Sequence, residues 1–343
     1  MTARFGCALS EVCVAAQHVS GQKRPMMRLI PDRFVLMLLC AVLLGWLLPV
    51  SGAGLPVAQD ISFAGIFALF FLHGLKLPRN EVTQAIKGWR LQGAMLAFAF
   101  VLMPLLGWGV AAAAGLMLPA ALAAGLVYTA ILPSTVQSAI SYASLAKGNV
   151  AASVVGAALS NLAAIIATPA LFALLLGTAS GSPVGGDVIV KIMTMLLLPF
   201  VLGQAAQHWL GGWAARQKAL LTVFDRSVIL LAVYVAFSAA VSSGALVVVS
   251  GVSLLLLTSF AGVFLMLAFA LAWGMGGVFG LARADRVSLL FAGAHKSIAT
   301  GAPMAALLFP AEIAGLMILP AIIYHQLQLI ASAPLAARLA KGS

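Results

Sequence analysis

Between Leu254 and Trp273 the chain runs through twenty residues without a charged side chain. A helix rises about 1.5 Å per residue, so this run can cross the roughly 30 Å hydrocarbon layer of a bilayer. Similar runs recur along most of the 343 residues, of which 63% are hydrophobic and 8% charged, with mean hydropathy +1.12. Water-soluble domains carry about a quarter charged residues, so a soluble globular fold is excluded. A membrane β-barrel needs short segments of alternating polarity, whereas these apolar runs are continuous. The expected class is an all-α polytopic membrane protein.

The formal net charge is +11. Seventeen of the nineteen bases lie at the N-terminus or in alternate loops, the exceptions being Lys191 and Lys296. That distribution is a topology signal and does not indicate a nucleic-acid surface. Ten spans are expected, at 34–51, 61–77, 91–115, 119–146, 150–177, 187–209, 225–246, 251–281, 285–308 and 311–337. Basic residues follow the even-numbered spans: Lys76, Arg79, Lys87 and Arg90; Lys147; Arg216, Lys218 and Arg226; Arg283 and Arg286; Arg338 and Lys341. The loops after the odd-numbered spans have none. Both termini are therefore expected in the cytoplasm of a cell whose inner (plasma) membrane holds the chain. The Lys76 to Arg90 cluster could meet anionic membrane lipid. Asp187 and Lys191, four residues apart, suit a structural helical ion pair.

Residues 1–30 read as a cytoplasmic tail, or as a start assigned too early, with Met26 and Met27 as alternatives. Residues 31–338 read as one transmembrane domain, with repeats at about 31–178 and 185–338. Cys7, Cys13 and Cys40 have no ligand or redox spacing. No metal or other cofactor is expected, and the sequence leaves the oligomeric state open.

Ten spans divide as five plus five, and an odd number per repeat inverts the second half. Weak echoes support this division. Thr168-Pro169-Ala170-Leu171 in span five matches Leu319-Pro320-Ala321-Ile322 in span ten, and spans one and six each carry a proline, Pro49 and Pro199. Spans four and nine correspond more usefully. Span four contains Leu132-Pro133-Ser134-Thr135-Val136-Gln137-Ser138-Ala139-Ile140-Ser141-Tyr142. Proline there removes a backbone donor and clashes with the preceding turn. Span nine contains Phe291-Ala-Gly-Ala-His-Lys-Ser-Ile-Ala-Thr-Gly-Ala-Pro303. Paired interrupted helices in matching positions point to a transport site near the midplane.

Lys296 lies ten residues from Arg286 and twelve from Leu308. A continuous helix would hold it ~15–18 Å from either boundary, and a lysine reaches only about 6 Å. No carboxylate shares its depth: Asp60, Glu81, Asp187, Asp225, Asp285 and Glu312 all sit near span ends. Intramembrane charge is costly and marks function.

These residues resemble the bile acid:sodium symporter family from about residue 30 onward. Pro133-Ser134-Thr135-Val136-Gln137-Ser138, Ala146-Lys147-Gly148-Asn149-Val150 and Gly293-Ala294-His295-Lys296-Ser297 carry the resemblance. The His-Lys-Ser version is similar to a bacterial branch related to the seventh member of the mammalian family. The resemblance implies ten helices in two inverted five-helix repeats. It also implies a panel domain (spans one, two, six and seven), a core domain, and interrupted helices four and nine that cross in the core. It implies sodium ligands at Ser138 and Ser153. Departures accompany them: Ala139 stands for an asparagine, Ala157 for a threonine, Phe291 for a glutamate, His295 for a glutamine and Lys296 for an asparagine.

The candidate substrate- or ion-binding residues are Ser134, Thr135, Gln137, Ser138, Ser153, Asn161, His295, Lys296, Ser297, Thr300, His325 and Gln326, with Ser160 a further candidate on span five. Ser134, Ser138 and Ser141 share one helical face, although small polar residues also serve close packing. The Lys296 ammonium could replace a coupling sodium, titrate and couple transport to protons, or bind an anionic substrate. The expected function is secondary active transport of a small organic anion by alternating access. The coupling ion is sodium by resemblance, or a proton. The alternative is an uncoupled facilitator or regulator that keeps the fold. No HExxH, GxSxG or intramembrane aspartate pair is present, so the sequence does not read as an enzyme.

Overall fold

The computed structural model describes residues 33–76, 88–176 and 186–341, without the side chains of 186–189 and 191–193. The N-terminal tail, Arg79, Glu81, Lys87 and the Asp187–Lys191 side-chain pair thus lie outside what is described. Among the described residues the regular structure is helical and contains no strand. The helices are α1 (Arg33–Leu47), α2 (Gly54–Lys76), α3 (Trp89–Ala97), α4 (Met103–Ala114), α5 (Ala120–Ile131), α6 (Gln137–Leu145) and α7 (Val150–Leu175). They continue as α8 (Gly186–Arg216), α9 (Lys218–Ser242), α10 (Gly251–Val278), α11 (Arg283–Ala294), α12 (Ile298–Leu308) and α13 (Ala311–Lys341).

Among the described residues six helical stretches are long and apolar enough to cross a membrane: Gly54–Lys76, Trp89–Ala114, Val150–Leu175, Lys218–Ser242, Gly251–Val278 and Ala311–Lys341. Leu and Ala dominate them, and both are strong helix formers. Polar caps mark several starts. Asn149 accepts from the Ala152 N–H at 3.0 Å, and Ser250 accepts from Ser253 at 3.1 Å. Each satisfies a donor that the first helical turn leaves open.

Two features depart from the sequence reading. The connection expected between 209 and 225 is helical, since α8 reaches Arg216 and α9 begins at Lys218. Ala214 and Leu221 from that stretch bury against Leu72 and Leu75 of α2. This apolar stripe holds the segment helical. The Trp89–Ala114 stretch also contains a π-helical turn, Phe98–Leu102, between α3 and α4.

Both expected interruptions are seen. Residues 132–136 separate α5 from α6, and 295–297 separate α11 from α12. A turn beyond α6 ties the two interrupted segments together. Lys147 adopts a left-handed φ of 58°, and at Gly148 a Cβ would lie 2.7 Å from Val287. Asn149 then donates to Asp285 Oδ1 at 2.8 Å and from its backbone to the Ala284 carbonyl at 3.0 Å. Its own carbonyl accepts from Ser288 at 2.8 Å. Asn149→Ala loses both the α7 cap and the Asp285 bond. It is expected to cost about 1–2 kcal/mol, as an N-cap truncation does, read as a lower Tm of the detergent-purified protein.

Candidate functional site

The first interruption is organised by its carbonyls. Backbone acceptors away from water must find donors. The Ile131 carbonyl accepts from the Thr168 hydroxyl at 2.8 Å. Leu132 accepts from Lys296 Nζ at 2.7 Å, and Pro133 from the Ser297 N–H at 2.9 Å. Ser134 accepts from Asn161 Nδ2 at 2.9 Å, and Thr135 from the Ser134 hydroxyl at 3.3 Å. The Ser134 N–H donates to Ser160 Oγ at 3.0 Å. The second interruption thus directly satisfies two acceptors of the first.

The second interruption is held from α13. Tyr324 donates to the Ala294 carbonyl at 2.8 Å. Gln328 brackets Lys296: its Oε1 accepts the Lys296 N–H at 2.8 Å, and its Nε2 donates to the Lys296 carbonyl at 3.1 Å. His325 Nδ1 lies 3.1 Å from that carbonyl and 2.8 Å from Gln328 Nε2. One ring nitrogen can donate to the carbonyl or accept from the amide, and the tautomer decides which. Ser297 caps α12 by accepting from the Thr300 N–H at 3.3 Å.

Lys296 is 2% exposed. Besides Leu132, its Nζ donates to the Ala99 carbonyl at 3.1 Å. Leu132 is the C-cap of α5, so the ammonium sits at the negative pole of that helix dipole. An ion pair joins Lys76 of α2 to Asp225 of α9 at 2.6 Å, well away from Lys296 in sequence. Lys296 is held by carbonyls.

His295 is fully buried. Its Nδ1 lies 3.2 Å from Ser138 Oγ and 3.4 Å from Thr135 Oγ1, and these hydroxyls are 2.6 Å apart. Its Nε2 meets Ser332 Oγ at 2.8 Å. Rings of Tyr142, Phe269 and Phe291 surround it, with centroids 5.6 to 6.2 Å away. Phe291 thus supplies an apolar wall.

The structure therefore brings together Ser134, Thr135, Ser138, Asn161, His295, Lys296, Ser297, Thr300 and His325. Asn161 links the sides, since its Oδ1 accepts from Thr300 at 2.8 Å. Three of the sequence candidates stand apart. Gln137 is exposed. The Ser153 hydroxyl bonds the Asn149 carbonyl of its own first turn at 3.1 Å. The Gln326 side-chain Nε2 is buried without a hydrogen-bond partner. Gln328 and Ser332 were not anticipated, although they lie three and seven residues beyond His325 on one helical face.

Gln328→Leu is expected to reduce folded yield and transport together, because it leaves the buried Lys296 N–H unpaired and takes away one of the two groups at its carbonyl, leaving His325. An unpaired buried donor costs about 1–3 kcal/mol. Gln326→Leu, which removes an unpartnered buried amide nitrogen, is expected to be neutral or mildly stabilising. Size-exclusion yield and Tm of the two variants check this ordering.

Known proteins share this chain's sequence over most of its length. An uncharacterized protein of Pseudomonas aeruginosa is 41% identical over 314 residues, covering 92% of this chain and 94% of its own. YfeH of Escherichia coli is 39% identical over 309 residues, covering 90% and 92%. Sodium/bile acid cotransporter 7 of Rattus norvegicus is 27% identical over 286 residues, covering 82% and 83%. The SBF-like CPA transporter family matches residues 32–341. With nearly the whole helical chain inside that match, this multi-pass membrane protein belongs to the SBF-like CPA transporter family.

Proposed function

We propose that the protein is a secondary active transporter of a small organic anion that works by alternating access around the two helix interruptions. The observation that carries this reading is their meeting at Lys296, whose ammonium serves carbonyls of two other segments. Irregular backbone at membrane depth is tolerated where protein buries it or where it lines a path. Here protein buries the backbone around Lys296, while Gln137, next to the first interruption, is exposed. The free N–H groups at the start of α6 favour an anion.

Ten spans in two inverted repeats fit the helix order. The fourth and ninth spans would be the interrupted pairs α5–α6 and α11–α12, and α1, α2, α8 and α9 would form the panel. Cytoplasmic termini in an inner membrane fit the basic loops.

In this reading the Lys296 ammonium takes the place of a mobile sodium, so uptake does not require sodium; without a proton gradient in its place the protein would be an uncoupled facilitator. A proton is the second candidate for coupling ion, favoured by the hydrogen-bonded series Thr135, Ser138, His295 and Ser332. The test is uptake of carboxylated and sulfated organic anions into proteoliposomes under separate sodium and proton gradients. Uptake unchanged on replacing sodium with choline supports the built-in cation. Acceleration by an inward proton gradient supports the second candidate. Strict dependence on sodium would overturn both, and failure of every anion to enter would favour a regulatory protein.

A further inference from the structure

Span three contributes to the Lys296 site through its backbone alone, and the reason lies five residues beyond the contact. In the π turn Phe98–Leu102 the Met103 N–H bonds the Phe98 carbonyl, five residues back. Continued in that register, the Ala99 carbonyl would be served by residue 104. That residue is Pro104, which has no N–H to give. In an unbroken α-helix the same proline would instead open the carbonyl four residues back, on Phe100. The extra residue of the π turn moves the open acceptor to Ala99 and turns it about 100° around the helix. Ala99 is 1% exposed, so water does not supply the missing donor. Lys296 Nζ does, at 3.1 Å. Close approach makes this reach possible: a Cβ on Gly293 would lie 2.7 Å from the Phe98 ring.

We infer that Pro104 and the π turn, together with the Leu132 carbonyl, form a receptor shaped for one primary ammonium, with Pro104 as its positioning residue. The inference deepens the reading of Lys296 as a built-in cation and rests on it. The chemistry fits an ammonium well. Its N–H donors can be directed at separate carbonyls, and the two distances, 2.7 and 3.1 Å, are those of hydrogen bonds. Arginine would present a planar fork in place of a compact head.

The experiment measures Tm in detergent and needs no substrate. Lys296→Ala is expected to lower Tm, and methylammonium chloride is expected to recover roughly half of the loss or more, as a ligand bound only by the folded state would. Choline, too large for the vacated volume, recovers none. Pro104→Ala restores an N–H that can close on Ala99. In that background the Tm loss from Lys296→Ala is expected to fall by roughly half, with little methylammonium recovery, a coupling read as a double-mutant cycle. Equal losses and equal recovery in both backgrounds would overturn the role of Pro104. No recovery of Lys296→Ala by methylammonium would overturn the receptor itself, and this arm stands even if the Pro104 variant does not fold. Sodium-dependent uptake by the wild type, with methylammonium recovery intact, would remove the reading of Lys296 as a substitute for the coupling sodium and leave the receptor.

Discussion

Lys296→Met is expected to lower substrate uptake by about 100-fold or more while leaving some protein folded. Methionine keeps most of the stem volume but brings no donor. The carbonyls of Leu132 and Ala99, both buried, then lose their partner. Leaving a buried acceptor unpaired costs about 1–3 kcal/mol, so two such losses weaken the crossed arrangement by about 2–6 kcal/mol. The neighbouring bonds belong to backbone and survive: Ser297 N–H still reaches Pro133, and Gln328 still brackets residue 296. The variant should therefore be recoverable but inactive. Lys296→Arg should also fail, because a guanidinium fork does not fit two carbonyls spaced for one nitrogen. Proteoliposome uptake beside a size-exclusion profile checks both. Wild-type rates in Lys296→Met, with unchanged ion dependence, would mean that the charge serves neither coupling nor site assembly.

Gly203→Val is expected to remove most folded protein. Helices α2 and α8 cross almost backbone to backbone. A Cβ at Gly203 would stand 2.0 Å from the Phe71 carbonyl oxygen, and one at Gly74 would stand 2.1 Å from the Phe200 oxygen. Neither oxygen can move without moving its helix. Small residues permit such approaches in membranes, where packing drives helix association. Separation would also lose the bond from Gln204 Nε2 to the Gly74 carbonyl, 2.6 Å long. Gly109→Ala is the matched control, since a Cβ there meets nothing within 4 Å. Fluorescence-detected size exclusion should show loss of the main peak for Gly203→Val and an unchanged peak for Gly109→Ala. Equal profiles would mean that the α2–α8 crossing tolerates separation.

Much of the site was legible where side-chain chemistry is unusual for its depth. Pro133 and the polar residues after it announced one interruption, and the Gly-, His- and Lys-bearing segment around Lys296 announced the other. His325 pointed to the correct turn of α13. Gln326 beside it carried the same chemistry as Gln328, and only the helix phase distinguished them. Phase was also decisive in span three, where an apolar run conceals the π turn. Ser153 was a candidate ligand through the family resemblance, and its hydroxyl turns back to Asn149. A hydroxyl on a helix always has a nearby carbonyl of its own. The linker before α9 was misread because its charges suggested a loop, while its apolar stripe against α2 made it a helix.

The sequence by itself determined that this chain folds as membrane helices, because hydropathy and length follow directly from residue types. It also determined that Lys296 must find a partner other than a carboxylate, since none shares its depth. Only the tertiary structure decided that the partners are the carbonyls of Ala99 and Leu132, 197 and 164 residues away. A carbonyl is the same group at every position. Its availability depends on which local N–H is missing and on which helix packs close enough to replace it.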